Sequence, residues 1–166
     1  MWWSSPRALA LAAALLLAGC GFEPLYAPAG PAAAVSGQVD VGVIQGVNGF
    51  ALRERLVERL GVTETVRYRL DVKLSFAKQG VAITEKDVTS RFDVTGTAIW
   101  TLTPIGLDAP TLSGEERATT GYSAPTSDTS SAYAILSAQR DAELRLSTLL
   151  ADRIAQRVAL AARAAP

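Results

Sequence analysis

The chain has 166 residues, of which 49% are hydrophobic and 19% charged, and its 16 basic residues balance 16 acidic ones. That length is enough for one globular domain with a buried core, and a net charge of zero gives no reason to expect a general nucleic-acid binder. Because the chain has no histidine and one cysteine, histidine-dependent catalytic sites, histidine-ligated zinc and an intramolecular disulfide are excluded.

The first segment of the chain has the pattern of an export signal. Arg7 precedes a run of Ala and Leu over residues 8–17, about half the roughly 20 apolar residues that span a bilayer. The small residues that follow and Cys20 resemble a bacterial lipobox. We therefore expect a lipoprotein signal peptide over 1–19 and a lipid anchor at Cys20 carrying diacylglyceryl and N-acyl groups. The alternative is an ordinary signal peptide with a chance cysteine. In the lipoproteins that this pattern resembles, Gly21 after the cysteine leaves the outer membrane as the default destination.

Residues 20–38 are predicted to form a lipid-anchored tether rich in proline and alanine. Three apolar side chains in it, Phe22, Leu25 and Tyr26, are either incidental or dock the tether to the domain. The domain itself is expected over residues 39–163.

The domain begins with a predicted strand over 39–44, where valine alternates with Asp and Gly. Residues 46–49 predict a turn in which Asn48 is a plausible helix N-cap. Leucines that recur every four residues then predict a helix of about three turns. Gly61 is expected to end that helix.

Strict alternation of apolar and polar residues predicts two long strands, over 66–76 and 92–102, that pair antiparallel. A weaker fourth strand is predicted over 112–122. The segment from about 131 to 162 contains neither proline nor glycine and carries one apolar stripe, which predicts a long helix. The expected fold is therefore α+β, a two-layer sandwich of a four-stranded, mostly antiparallel sheet with two helices on one face.

No pattern in the chain points to catalysis. Ser75 and Lys78 have the S-x-x-K spacing of a serine acylase, but they fall at the end of a strand, where residues three apart point to opposite faces. Adjacent acids, Glu115 and Glu116, diverge on a strand for the same reason, so they cannot flank one glycosidic bond. We therefore expect neither an enzyme nor a metal or other cofactor.

Four cations are the candidate ligand-binding residues. Arg67, Arg69 and Lys73 share the polar side of the second strand. If the following hairpin turns near residue 82, Arg91 lies opposite Lys73 on the same side. Such a group could bind the phosphates of an anionic ligand through charge-assisted hydrogen bonds. The alternative is a solvated strand face decorated with Lys and Arg.

Several segments together resemble one family, the LPS-assembly lipoproteins of Gram-negative outer membranes (the LptE type), in an alphaproteobacterial style. The resemblance covers nearly the whole chain. The segments that carry it are 17–26 (LAGCGFEPLY), 90–94 (SRFDV), Gly114, 121–123 (GYS), 138–142 (AQRDA) and 150–154 (LADRI).

This resemblance implies a fold with a four-stranded sheet and two helices on one face. It also implies a non-enzymatic protein of the outer membrane, lipid-anchored on the periplasmic side. Such proteins plug the lumen of a large β-barrel LPS translocon, assist its assembly and bind lipopolysaccharide. The alternative is a lipoprotein subunit of a lipid-trafficking transporter or a small-ligand carrier.

Overall fold

The computed structural model describes residue 33 and the ranges 35–62, 65–83, 89–124 and 132–164. The predicted signal peptide, Cys20 and Phe22, Leu25 and Tyr26 of the predicted tether lie outside the described residues. The described elements are, in chain order, β1 (Val39–Val41), α1 (Gly46–Leu60), β2 (Tyr68–Ile83), β3 (Thr89–Pro104), β4 (Leu112–Ser123) and α2 (Ala132–Ala164).

One sheet contains the four strands in the order β1-β2-β3-β4. β1 runs parallel to β2, with Val39 opposite Tyr68, and α1 makes the connection between them. The two other pairings, β2 with β3 and β3 with β4, are antiparallel. The helices pack together, and α2 also contacts β3 and β4. The predicted α+β fold class is thus confirmed, with a mixed and mostly antiparallel sheet.

Helix α1 begins earlier than the sequence predicts. Gly46 is its first residue, with a φ of 82°, and the turn expected over 46–49 is helical. Asn48 therefore does not cap the helix. Its side-chain amide instead donates a 2.8 Å hydrogen bond to Glu143 on α2. The predicted end is confirmed, because Gly61 follows the last helical residue with a φ of 84°.

Helix α2 presents two adjacent rows of buried residues at intervals of four. The first row is branched and apolar, and its Leu150 lies against Gly96 of β3, where an added Cβ would come within 3.0 Å of the leucine. The second row contains only small side chains, so neighbouring elements can approach α2 closely. The rows are Leu146, Leu150, Ile154 and Val158, and Ser147, Ala151, Ala155 and Ala159.

The last residues of the predicted tether pack on the domain. Val35 is buried in the core. The amide of Gly37 donates to the carbonyl of Leu60 at the end of α1, at 2.9 Å, and the amide of Thr65 donates to the carbonyl of Gly37 at 3.2 Å. The chain is therefore held at the end of α1 before β1 begins.

Candidate interaction surfaces

The side of the sheet that faces away from the helices is polar and rich in threonine. It is built by the odd-numbered residues of β3 and β4, and of β2 as far as Gln79, which lie in rows across the strands. In one row Ala77, Thr95 and Thr119 are neighbours, and the two threonine hydroxyls are 2.9 Å apart. Ile99 is an apolar exception, 52% exposed. This surface is called the open face below.

Three of the four candidate cations lie close together in the chain at the β1 end of β2. Arg67 is exposed and immediately precedes β2. Arg69 forms ion pairs with Asp40 at 3.7 Å and with Asp71 at 3.3 Å, so part of its charge is compensated. Lys73 is exposed on the open face, opposite Ile99 of β3.

The prediction that Arg91 lies opposite Lys73 is wrong. Arg91 lies opposite Ala82, whereas Lys73 pairs with Ile99. Strand β2 continues to Ile83, past the expected turn near residue 82, and the register shifts between Gly80 and Ala82. Because each strand residue spans about 3.3 Å, nine residues along β2 separate the two cations by roughly 30 Å. The four side chains therefore do not form one group.

A step in the sheet forms where β1 ends. β1 pairs with three residues of β2, and β2 then runs on to Ile83. A concavity of about 620 Å³ lies at this step, lined by Val43, Ile44 and Gln45 from the connection to α1 and by neighbouring residues of β2 and β3. Val43 in its lining is 86% exposed. The sequence does not predict this feature, because the valine alternation extends the predicted strand over 39–44, whereas β1 ends at Val41.

A second depression of about 410 Å³ lies between β4 and the C-terminal half of α2. Trp100 lies beneath it, 2% exposed, and its indole N–H has no hydrogen-bond partner among the described residues. A Cβ on Gly114 would lie 2.8 Å from the indole ring, so only glycine leaves room for the tryptophan. Glu116 at the rim accepts a 3.2 Å hydrogen bond from Arg157 of α2.

The helices are joined by a cluster of charged groups around Asp152. Arg55 and Arg59 of α1 donate to the Asp152 carboxylate at 2.9 and 2.7 Å. Partial burial opposes ionisation of this carboxyl, but the hydrogen bonds from the two arginines outweigh it and hold the pKa of Asp152 below its usual value. On β4, burial raises the pKa of Tyr122, and the negative charge of Glu143 on α2 adds to the effect.

Within the described ranges, no three acidic or cysteine side chains gather in a way that could hold a metal ion. Neither α1 nor α2 has the combination of length and apolar composition that a membrane-spanning helix requires.

Comparison with known proteins identifies the family. Residues 37–158 match the family model LptE, described as lipopolysaccharide-assembly. The chain belongs to the LptE family. The matched segment begins in the residues that pack beside α1 and ends near the last turns of α2, so the family match and the folded domain coincide. No curated protein matches the chain.

Solved structures show the same fold in other bacterial lipoproteins. A candidate lipoprotein from Caulobacter crescentus is similar with a TM-score of 0.65 and 24% identity, over 83% of this chain and 99% of that one. Rare lipoprotein B from Shewanella oneidensis has a TM-score of 0.54 and 16% identity, over 75% and 95% of the two chains. A minor lipoprotein from Acinetobacter baumannii has a TM-score of 0.54 and 12% identity, over 76% and 92%.

Membership of the LptE family gives the protein a role in lipopolysaccharide assembly at the outer membrane. The predicted resemblance is thereby confirmed.

Proposed function

We propose that this LptE-family protein is a lipid-anchored partner of a large outer-membrane β-barrel, the LPS translocon, which it plugs and helps to assemble without acting as an enzyme. The observation that carries the proposal is the family match over 37–158, which spans nearly all of the folded domain. Cys20 supplies the anchor through a diacylglyceryl and an N-acyl group. The protein then lies on the periplasmic side of the outer membrane.

The polar open face supports this role. A domain enclosed by a barrel must present a surface that tolerates water and also makes hydrogen bonds to the wall. Threonine hydroxyls both donate and accept hydrogen bonds, and their methyl groups add apolar contact. The row through Ala77, Thr95 and Thr119 has this mixed character. By contrast, the face of the sheet covered by α1 and α2 is occupied by the core.

We further propose that lipopolysaccharide contacts the cations in two places. Arg67, Arg69 and Lys73 form one group at the β1 end of β2, and Arg91 forms a separate contact roughly 30 Å away. Phosphate oxygens accept short, charge-assisted hydrogen bonds from guanidinium and ammonium groups. The ion pairs of Arg69 with Asp40 and Asp71 leave Arg67 and Lys73 as the stronger contributors.

Purification from envelopes in mild detergent tests the partnership. The full-length protein, carrying an affinity tag at its C-terminus, should bring a large β-barrel protein with it in a fixed ratio. A matched purification of a tagged, unrelated outer-membrane lipoprotein from the same strain controls for general membrane recovery. Recovery of this protein without any large barrel, or with transporter subunits instead, would refute the proposal.

A further inference from the structure

We propose that the free edge of β2 beyond the step, residues 72–79, is where an extended segment of the barrel partner adds to the sheet as a further strand, carrying acidic side chains next to Lys73 and Lys78. This inference rests on the proposed partnership with the barrel and identifies the contact within it.

The main-chain N–H and C=O groups along this edge of β2 point in the direction that pairing with a further strand requires. The amide of Tyr68 donates to the carbonyl of Gln38, and the carbonyl of Leu70 accepts from the amide of Gly42, so even-numbered residues of β2 direct their main-chain groups toward β1. β1 ends at Val41. Main-chain groups alternate between the two sides of a strand. The N–H and C=O groups of the later even-numbered residues therefore point to the side that β1 occupies earlier; these residues are Val72, Leu74, Phe76 and Lys78. Within the described ranges, no strand lies beyond this edge.

The step beside β1 fits the end of an added strand. The concavity of about 620 Å³ lies where β1 stops and includes Val72 and Leu74 of the free edge. The exposed Val43 beside it adds apolar surface. Leu74 and Phe76 are only partly buried against the core, so an added strand would cover them further. Unpaired apolar edges of this length normally pair with another segment or are blocked.

The charges favour an acidic partner over a second copy of this chain. Residues 72–79 contain two lysines and no carboxylate. Within the described residues, neither Lys73 nor Lys78 forms an ion pair, and Lys78 donates only a 3.4 Å hydrogen bond to Gln139. Two copies paired edge to edge would place four lysines along one seam, which like-charge repulsion disfavours.

The same positions disfavour a single anion as the occupant. Lys73 lies on the open face, whereas Lys78 lies over Phe92 on the helix-covered side, with its ammonium 5.2 Å from the ring centre. One phosphate cannot contact both. A strand can, because its successive side chains point to opposite faces.

Site-specific photocross-linking in intact cells tests the inference with a matched pair of positions. A benzoylphenylalanine replaces either Ala77 or Thr119, which are exposed ends of one row across the open face, at the free edge and at β4 respectively. We expect position 77 to give clearly more cross-linked product with the barrel than position 119, which lies on the same open face but at β4, away from the free edge. Hydrogen exchange on the purified full-length protein gives a second measurement. The amides of 72, 74, 76 and 78 should exchange at least about tenfold more slowly with the barrel bound.

Each outcome decides a separate point. If the barrel co-purifies but position 77 gives no product, or gives no more than position 119, the edge is not the contact and the inference fails alone. A product with a second copy of this chain, or with its own N-terminal segment, also overturns it. Unchanged exchange of the four amides in the complex rules out strand addition. If no barrel co-purifies, the proposed function fails and this inference fails with it.

Discussion

Asp152 of α2 accepts a hydrogen bond from the Nε of Arg55 of α1 at 2.9 Å, and this contact joins two helices whose close packing covers the sheet. A second guanidinium, that of Arg59, lies 2.7 Å from the same carboxylate oxygen. Asp152 falls within the segment 150–154 that carries the family resemblance. Its position between the helices gives that segment a structural role.

Replacing Asp152 with asparagine should lower the free energy of unfolding by about 1–2 kcal/mol at neutral pH, because two arginines lose a partly buried charged acceptor. Chemical denaturation of the isolated domain measures the loss. As a control, Asp141→Asn removes an exposed i,i+4 pair with Arg145, at 3.2 Å, and should cost about 0.3–0.5 kcal/mol. Equal losses in the two variants would contradict a special contribution of Asp152.

The same variant has a defined pH dependence. The pKa of Asp152 is lowered in the folded protein, so its stabilising effect is complete above the unfolded value of about 3.9 and disappears as the pH falls through the lower, folded value. The stability difference between the native protein and Asp152→Asn should therefore be constant above roughly pH 5 and shrink in more acidic solution. A difference that grew on acidification would have the wrong sign.

Gly114→Ala should destabilise the domain by about 1–3 kcal/mol, since the new methyl group would lie 2.8–3.1 Å from the rigid, buried indole of Trp100. Gly121→Ala in the same strand is the matched control. Its methyl group would meet the Asp93 carboxylate at 3.0 Å, and that side chain can move aside, so the cost should be smaller. Thermal unfolding of both variants measures the difference. A Gly114→Ala variant as stable as the control would show that the tryptophan has room to shift.

The faces of the sheet were predictable because strict alternation in 66–76 and 92–102 separates core from solvent. The register was not. Gly80 resembles a turn residue, but a strand can continue through a glycine when its partner holds the main chain, and here β2 extends to Ile83 with an irregularity after Gly80. A hairpin that turns near residue 82 therefore predicts Arg91 too close to Lys73.

The start of α1 was missed for a related reason. Gly46 and Gly49 favour a turn, but Gly49 is needed inside the helix, because a Cβ there would lie 2.7 Å from the carbonyl oxygen of Ile44 in the preceding connection. The step beside β1 could not be predicted from the sequence either. It depends on where the chain leaves the sheet near Gly42, and the spacing of apolar residues does not indicate that position.

Charge reversal separates the two proposed lipopolysaccharide contacts. The double variant Arg67→Glu and Lys73→Glu should weaken binding of purified lipopolysaccharide by roughly tenfold or more, because each phosphate contact contributes about 1–2 kcal/mol. Arg91→Glu should have a smaller effect, since its side chain acts alone. Binding is measured by displacement of a fluorescent lipopolysaccharide, with circular dichroism as the check on folding. Unaltered binding in folded variants would mean that these cations only form a solvated strand face and do not bind lipopolysaccharide.

Cys20→Ser tests the anchor. Serine preserves the size of the side chain but lacks the thiol that would receive the diacylglyceryl group, so metabolic labelling with a fatty acid should be lost. Each buried CH₂ contributes roughly 0.8 kcal/mol and one acyl chain holds a protein only marginally, whereas three chains hold it almost permanently. The variant should therefore leave the membrane fraction unless the barrel retains it.

A second substitution distinguishes anchoring from destination. Gly21→Asp keeps Cys20 and should keep full labelling, but the acidic residue after the cysteine should retain the protein in the inner membrane. Sucrose-gradient separation of the two membranes measures the distribution. Labelling that persists in Cys20→Ser would refute the lipobox. Because barrel contacts could hold an unlipidated domain at the outer membrane, labelling decides the presence of the anchor, and the gradient decides its destination.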